Sequence, residues 1–295
     1  MACNYNNIVE LTYSYGGHLT TISELRYYTD IIQISRCCLL KPNYYIPAKE
    51  FAEITNIGDY LRSLQDLSVP LSPTAPDHPM CNKSVCKLLP YRAIDNVIVG
   101  LSYACNLNCV NCWYSGIHFD DSNQKELYFH VLYGLKKSEL GTITLTNKGE
   151  PFFYLKETMD YLKTLTIEDT KCVYSLTNGN LLDEKSIKLM KSIKENSGVD
   201  FKFLFSIDAV SSEVYKKVRI GGNFSKVLDN LESCIRQFGT RNLTVSFTGK
   251  EYNLHEINQA VPFYKENFGV DVQISFDSFH PEMQDKAKRE YGFNS

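Results

Sequence analysis

Val97-Ile98-Val99-Gly100-Leu101-Ser102-Tyr103 runs straight into Ala104-Cys105-Asn106-Leu107-Asn108-Cys109-Val110-Asn111-Cys112-Trp113, and these residues decide how the rest of the chain is read. The first seven form an apolar run of the kind that a buried parallel strand needs. Three cysteines then follow in the spacing Cys-x3-Cys-x2-Cys. A loop this tight brings three sulfurs together without long-range help, and thiolates suit a soft centre, either zinc or an iron–sulfur cluster. Ligand number separates the two, because structural zinc takes four closed ligands, whereas three leave one coordination position open for chemistry. Zinc with a borrowed fourth ligand, for instance His118, stays open on these residues alone. Asn106 and Asn108 make the loop too polar to be ordinary core.

Downstream of this loop, helical and strand patterns alternate. The pattern predicts a helix over Asn123–Lys137, a strand over Thr142–Thr146, a helix over Lys156–Thr164 and a strand over Cys172–Leu176. Asp183 caps a helix over Glu184–Lys194, and a strand follows over Phe201–Ile207. A helix over Asn223–Phe238, a strand over Leu243–Phe247, a helix over Leu254–Phe268 and a strand over Val270–Phe276 complete the series, with a helical tail from Pro281 to Tyr291. Alternation of this kind argues for parallel βαβ units with right-handed crossovers. About six units fall short of a complete eight-unit barrel. The expected fold is therefore α/β, a partial (β/α)6 TIM-like barrel, with a doubly wound sheet as second choice. Either fold places ligands at the carboxyl ends of the strands.

Upstream, Pro70-Leu71-Ser72-Pro73-Thr74-Ala75-Pro76-Asp77-His78-Pro79 removes backbone donors and forbids helix, so it reads as an extended linker. The expected organisation is an accessory region over 1–69, a Pro-rich linker over 70–90 carrying Cys81 and Cys86, and a core domain over 91–295. Two helices are expected in the accessory region, near Thr21–Ser35 and Ala48–Leu67, with Pro47 at the first turn of the second.

The chain has 295 residues, 43% of them hydrophobic and 22% charged, which is enough to bury a substantial core. With Lys+Arg 31 against Asp+Glu 34, no basic surplus points to nucleic acid. No apolar run approaches the ~18 residues that span a bilayer, and Met1-Ala2-Cys3-Asn4 does not open a signal peptide, so a cytoplasmic protein is expected. The 10 cysteines are clustered in a long chain, which favours metal binding over a disulfide framework. Cys37-Cys38 and the Cys81/Cys86 pair match no strong metal template, and Cys172 and Cys234 read as core residues.

The cysteine loop after a first strand resembles the signature of the radical S-adenosylmethionine (radical SAM) superfamily. That resemblance implies a [4Fe–4S] cluster on Cys105, Cys109 and Cys112, with the amino and carboxylate groups of S-adenosylmethionine on the fourth iron. It also implies reductive cleavage to a 5′-deoxyadenosyl radical that abstracts a substrate hydrogen. Asn147-Lys148-Gly149-Glu150-Pro151 resembles the family's Gly-Gly-Glu-Pro motif, which makes Gly149 a point of close backbone approach and Glu150 an acceptor for an ammonium group. Leu176-Thr177-Asn178-Gly179-Asn180 is similar to the family's Thr-Asn-Gly turn, with Asn178 a contact candidate. Ser206 and Asp208, two apart, would share one face of an extended strand and reach ribose hydroxyls; Asp208 and Ser211 are alternatively helix caps. Arg219, in Tyr215-Lys216-Lys217-Val218-Arg219-Ile220-Gly221-Gly222, resembles an arginine that pairs with the methionine carboxylate. Ser246 and Phe247 are candidates for the adenine pocket. The motif style is closest to the peptide-modifying, sulfatase-maturase-like branch, but no cysteine follows Cys234, so either that branch's cysteine-rich extension is lacking or the chain is a shortened form. The resemblance implies a low-potential electron donor, flavodoxin- or ferredoxin-like, and an organic substrate. A peptide is the first choice of substrate, and a small molecule of cofactor biosynthesis is the alternative. A non-catalytic metal-binding protein is the reading of another class.

Overall fold

In the computed structural model, residues 31–36, 44–47, 94–100, 102–110, 112, 121–136, 140–145, 149–276 and 282–293 are described. Among the described residues, eight strands form one sheet: β1 (Ile31–Arg36), β2 (Tyr44–Pro47), β3 (Ile94–Gly100), β4 (Leu140–Leu145), β5 (Thr170–Thr177), β6 (Asp200–Ser206), β7 (Leu243–Gly249) and β8 (Asp271–Phe276). Their spatial order is β2-β1-β3-β4-β5-β6-β7-β8. From β3 to β8 every neighbouring pair is parallel, and each strand lies beside its successor in sequence. A doubly wound sheet reverses its strand order at a switch point. This one never does, so the six parallel strands form the arc of a partial barrel.

The connecting helices are α1 (Asp121–Gly134), α2 (Leu155–Leu162), α3 (Glu184–Ser197), α4 (Ser212–Val218), α5 (Phe224–Phe238), α6 (Ile257–Phe268) and α7 (Glu282–Tyr291). Local chemistry sets their ends. Asp183 caps α3 by accepting the Ser186 amide at 2.7 Å, and Gly198 ends it in the left-handed region. Ser211 and Asn223 cap α4 and α5 in the same way. Each expected helix and strand of the core recurs with its ends moved by a few residues. Helix α4 is additional.

Strand alternation sorts the side chains into two faces. Val97, Val99, Ile143, Leu145, Val173, Phe201, Phe203, Phe205, Leu243 and Val245 point to the helices and form the main core. The opposite, concave face carries Ser206, Ser246 and Thr248, all half-buried. A smaller cluster of Phe247, Leu254, Ile257, Ala260, Ala287 and Phe293 seats α7 on β7 and α6. Cys234 is buried in the main core, whereas Cys172 is only half-buried.

Upstream of β3 the expected helix over Thr21–Ser35 gives way to strand at Ile31–Arg36, which pairs antiparallel with β3 and with β2. Three isoleucines in Ile31-Ile32-Gln33-Ile34 favour strand over helix, and the edge of β3 supplies a pairing partner. Pro47 ends β2. The expected helix over Ala48–Leu67, the linker, Cys3, Cys37, Cys38, Cys81, Cys86, Asn111, His118 and Lys148 lie outside the described residues. Among the described residues, no helix is long and apolar enough to cross a membrane.

Candidate cofactor site at the strand ends

The loop that leaves β3 is held by the turns that leave β4, β5, β6 and β7. On one side the Gly149 amide donates to the Ser102 carbonyl at 2.9 Å and the Glu150 amide to the Ala104 carbonyl at 2.8 Å. A Cβ on Gly149 would lie 2.1 Å from the Ala104 oxygen, so only glycine allows this approach. On the other side the Asn108 amide donates to the Ile220 carbonyl at 2.9 Å and the Val110 amide to the Val218 carbonyl at 3.0 Å. Motifs read one by one from the sequence thus converge on a single loop, at the carboxyl ends of the parallel strands.

Two side chains from different strand ends approach the cysteine sulfurs. Asn178 Nδ2 lies 3.8 Å from Cys105 Sγ and donates to Asn106 Oδ1 at 3.0 Å. Arg219 Nη1 lies 3.7 Å from Cys109 Sγ. A buried carboxylate stands behind each. Glu150 accepts from Thr177 Oγ1 at 2.6 Å, from the Asn178 amide at 2.7 Å and from the Phe152 amide at 3.3 Å. Burial pushes its carboxyl up to about 7 against those three hydrogen bonds. Asp208 Oδ2 pairs with Arg219 Nη2 at 2.7 Å, while Oδ1 accepts the Thr248 amide at 2.7 Å. Burial works against the charge of Arg219, but Asp208, with Cys109 and Tyr215 behind it, raises the guanidinium above its ordinary value. Its Nε is buried and has no hydrogen-bond partner among the described residues.

Several expectations change here. Strand β6 ends at Ser206, and Asp208 adopts φ 60. Alternation stops before Asp208, so it does not share a face with Ser206: it is 1% exposed and engaged with Arg219. It caps no helix, because Ser211 caps α4. Phe247 is fully buried in the α7 cluster, away from the half-buried Ser246. Glu150 accepts three hydrogen bonds within the protein, two on Oε1 from Thr177 and Phe152 and one on Oε2 from Asn178.

Sequence reading passed over Asn106, Thr177, Asn180, Tyr215 and Lys250. Asn180 joins the β5 and β6 turns by donating to Tyr215 OH at 2.8 Å and accepting the Asn223 amide at 2.8 Å. Lys250 Nζ reaches the Val110 carbonyl, within the cysteine loop, at 3.1 Å. Position was the available signal, since Lys250 directly follows β7, as the other motif residues follow their strands.

Burial pushes the Cys105 thiol up to about 11, countered by the Leu107 amide and reinforced by Glu150, Cys109 and Cys112. Burial also raises Cys109, opposed chiefly by Arg219. The three sulfurs therefore feel one another. As they stand, neither they nor any other three His, Cys, Asp or Glu side chains among the described residues form a group able to hold a metal ion. The donor chemistry fits an iron–sulfur cluster with one open iron: three soft thiols, no carboxylate or imidazole between Cys105 and Cys112, and a cation beside one sulfur.

The family model of the radical SAM superfamily matches residues 99–264, more than half of the chain. A probable GTP 3′,8-cyclase of Methanococcus aeolicus is 27% identical over 213 residues, covering 70% of this chain and 67% of that protein. An uncharacterised protein of Methanocaldococcus jannaschii is 30% identical over 182 residues, covering 60% of this chain and 57% of that protein. The chain thus spans about three fifths to two thirds of the length of these relatives. Among solved structures, anSMEcpe with bound AdoMet superposes with a TM-score of 0.44 at 21% identity, covering 62% of this chain and 51% of that one.

Proposed function

Because the chain belongs to the radical SAM superfamily, we propose that Cys105, Cys109 and Cys112 hold its [4Fe–4S] cluster and that the enzyme acts on a small molecule of cofactor biosynthesis. Superfamily members use such a cluster with S-adenosylmethionine and need a reductant. When bound, the cluster supplies one electron for reductive cleavage of S-adenosylmethionine, which starts radical chemistry on the substrate. The reductant is a low-potential flavodoxin- or ferredoxin-like protein.

The supporting observation is convergence: the loop bearing the three thiols is hydrogen-bonded to Gly149, Glu150, Val218 and Ile220 and touched by Asn178 and Arg219. In this reading Gly149 serves the cofactor through the loop, because the space its missing Cβ leaves is filled by Ala104 and the loop is thereby seated on the turn after β4. Arg219 offers its Nε–H, unpartnered among the described residues, to the cofactor's carboxylate, a charge-assisted bond suited to a buried guanidinium. Glu150 acts one step back, orienting the Thr177-Asn178 turn so that the Asn178 amide group faces Cys105. Ser206, half-buried on the concave face, is the ribose contact, while Asp208 serves Arg219. Residues 91–295 carry this core, and β1 and β2 from the region 1–69 extend its sheet.

The preference for a small-molecule substrate over a peptide rests on curated relatives named probable GTP 3′,8-cyclases, two of them 27% and 26% identical to this chain. The test is anaerobic reconstitution followed by EPR and product analysis. One four-iron cluster per chain, a spectrum altered by S-adenosylmethionine, and dithionite-dependent 5′-deoxyadenosine are expected. All three should be lost in Cys109→Ala. One tightly bound zinc instead, or persistent turnover in that variant, refutes the assignment of the ligands. Consumption of a peptide but of no nucleotide or other small metabolite refutes the substrate class.

A further inference from the structure

Lys250 has no role in the reading above, yet it is placed on the cysteine loop. Its side chain is only 11% exposed. The ammonium donates to the Val110 carbonyl at 3.1 Å, between Cys109 and Cys112, and lies 4.0 Å from Asp208 Oδ2. Asp208 in turn holds Arg219 at 2.7 Å, and Arg219 reaches Cys109. Nearly every polar group of this assembly is committed. Asp208 Oδ1 takes the Thr248 amide, its carbonyl accepts Asn253 Nδ2 at 2.9 Å, and the same Nδ2 donates to the Thr248 carbonyl at 3.0 Å. Asn253 Oδ1 accepts the Lys250 amide at 2.6 Å, which fixes the backbone from which the lysine extends.

Two cations flanking one carboxylate leave one positive charge over. A buried surplus charge is costly unless something nearby is negative. The loop that the two cations hold carries three thiols, which become negative as thiolates when they ligate a cluster, and Arg219 Nη1 already stands 3.7 Å from Cys109 Sγ.

We propose that Lys250 is a positioning residue of the cysteine loop: with Asp208 and Arg219 it clamps Val110 and Cys109 and makes the bound cluster easier to reduce. The inference rests on the reading that Cys105, Cys109 and Cys112 hold a cluster. Arg219 grips a sulfur and Lys250 grips the backbone one residue on, so the loop is fixed at two adjacent points by cations that share Asp208. Adding an electron to a cluster makes it more negative, and a fixed positive charge in a poorly solvated site favours that step.

The test is Lys250→Met, which keeps length and apolar stem but removes charge and donor, beside Lys250→Arg, which keeps the charge. In the reconstituted protein, an EPR-monitored redox titration should show Lys250→Met harder to reduce by on the order of tenfold at a fixed donor potential. That corresponds to about 59 mV for a one-electron couple. Lys250→Arg should recover most of the difference. In the cluster-free chain, amide exchange at Asn108 and Val110 should rise about tenfold in Lys250→Met, while protection of α5 stays unchanged and shows that the fold is intact. An unmoved potential or an unmoved loop overturns the inference. Failure of the unsubstituted chain to assemble a cluster overturns the cluster reading and this inference with it, whereas assembly with equal potentials overturns the inference alone.

Discussion

Replacing Gly149 with alanine tests whether the post-β4 turn fixes the cysteine loop. The added methyl carbon would sit 2.1 Å from the Ala104 oxygen, 2.6 Å from the Ala104 carbon and 2.6 Å from the Tyr103 carbon. All three are backbone atoms, so no side chain can swing aside and the two segments must separate by about 1 Å. That separation breaks or weakens the bonds from Gly149 to Ser102 and from Glu150 to Ala104. Overpacking costs about 1–3 kcal/mol, and each backbone hydrogen bond contributes about 1 kcal/mol net. The expected loss is therefore about 3–5 kcal/mol. If it is felt globally it lowers the melting temperature by roughly 6–20 °C, at about 2–4 °C per kcal/mol for a domain of this size. If the strain stays local, stability changes little, but the loop is displaced and cluster uptake falls. Thermal denaturation and iron content per chain, measured on the same preparation, cover both cases. A Gly149→Ala protein that melts within about a degree of the parent and takes up the same iron would refute the close approach and the docking drawn from it.

Glu150 makes the cluster-free chain pH-sensitive. Its carboxyl is raised to about 7 by burial, so its contribution to stability is full below the ordinary carboxylate value near 4.5 and is lost as pH rises through 7. At about 1.4 kcal/mol per pKa unit, urea unfolding should show the parent losing on the order of 3 kcal/mol relative to Glu150→Gln between about pH 4.5 and pH 8; parallel curves for the two proteins would contradict it. Asp183→Ala removes the α3 cap, with an expected cost of about 1 kcal/mol in urea unfolding and no change in iron content. Loss of the cluster in that variant would mean that α3 supports the site more directly than its position indicates.

Much of the core was legible because it obeys short-range rules. A strand run followed by Cys105, Cys109 and Cys112, a capping Asp183 ahead of an amphipathic helix, and a Gly-Glu-Pro turn can each be recognised without knowing what lies opposite. The residues that escaped depend on partners far along the chain. Ser206 and Asp208 are spaced like neighbours on a strand, but Asp208 turns out of it at φ 60 because Arg219, Thr248 and Asn253 together engage its carboxylate and carbonyl. No window of sequence contains all four. Lys250 looks like any lysine after a strand until the cysteine loop is laid across it. In Ile31–Arg36 the local β-branched signal was present in the sequence, and the predicted helix underweighted it.

The same distinction bears on how the site works. Residues that touch the cysteine sulfurs, Asn178 and Arg219, are donors, whereas the carboxylates Glu150 and Asp208 stand one step behind and are almost fully buried. Glu150 already adds to the rise of the Cys105 thiol, and a carboxylate facing a sulfur directly would oppose the thiolate, and with it the binding of iron, more strongly. Turned away, they spend their negative charge on holding the donors in place. Conservative neutralisation should therefore act through orientation. Asp208→Asn preserves the side chain's size but weakens its hold on Arg219, so it should disturb Cys109 more than Cys105. Glu150→Gln should act in the opposite order through Asn178 and Cys105.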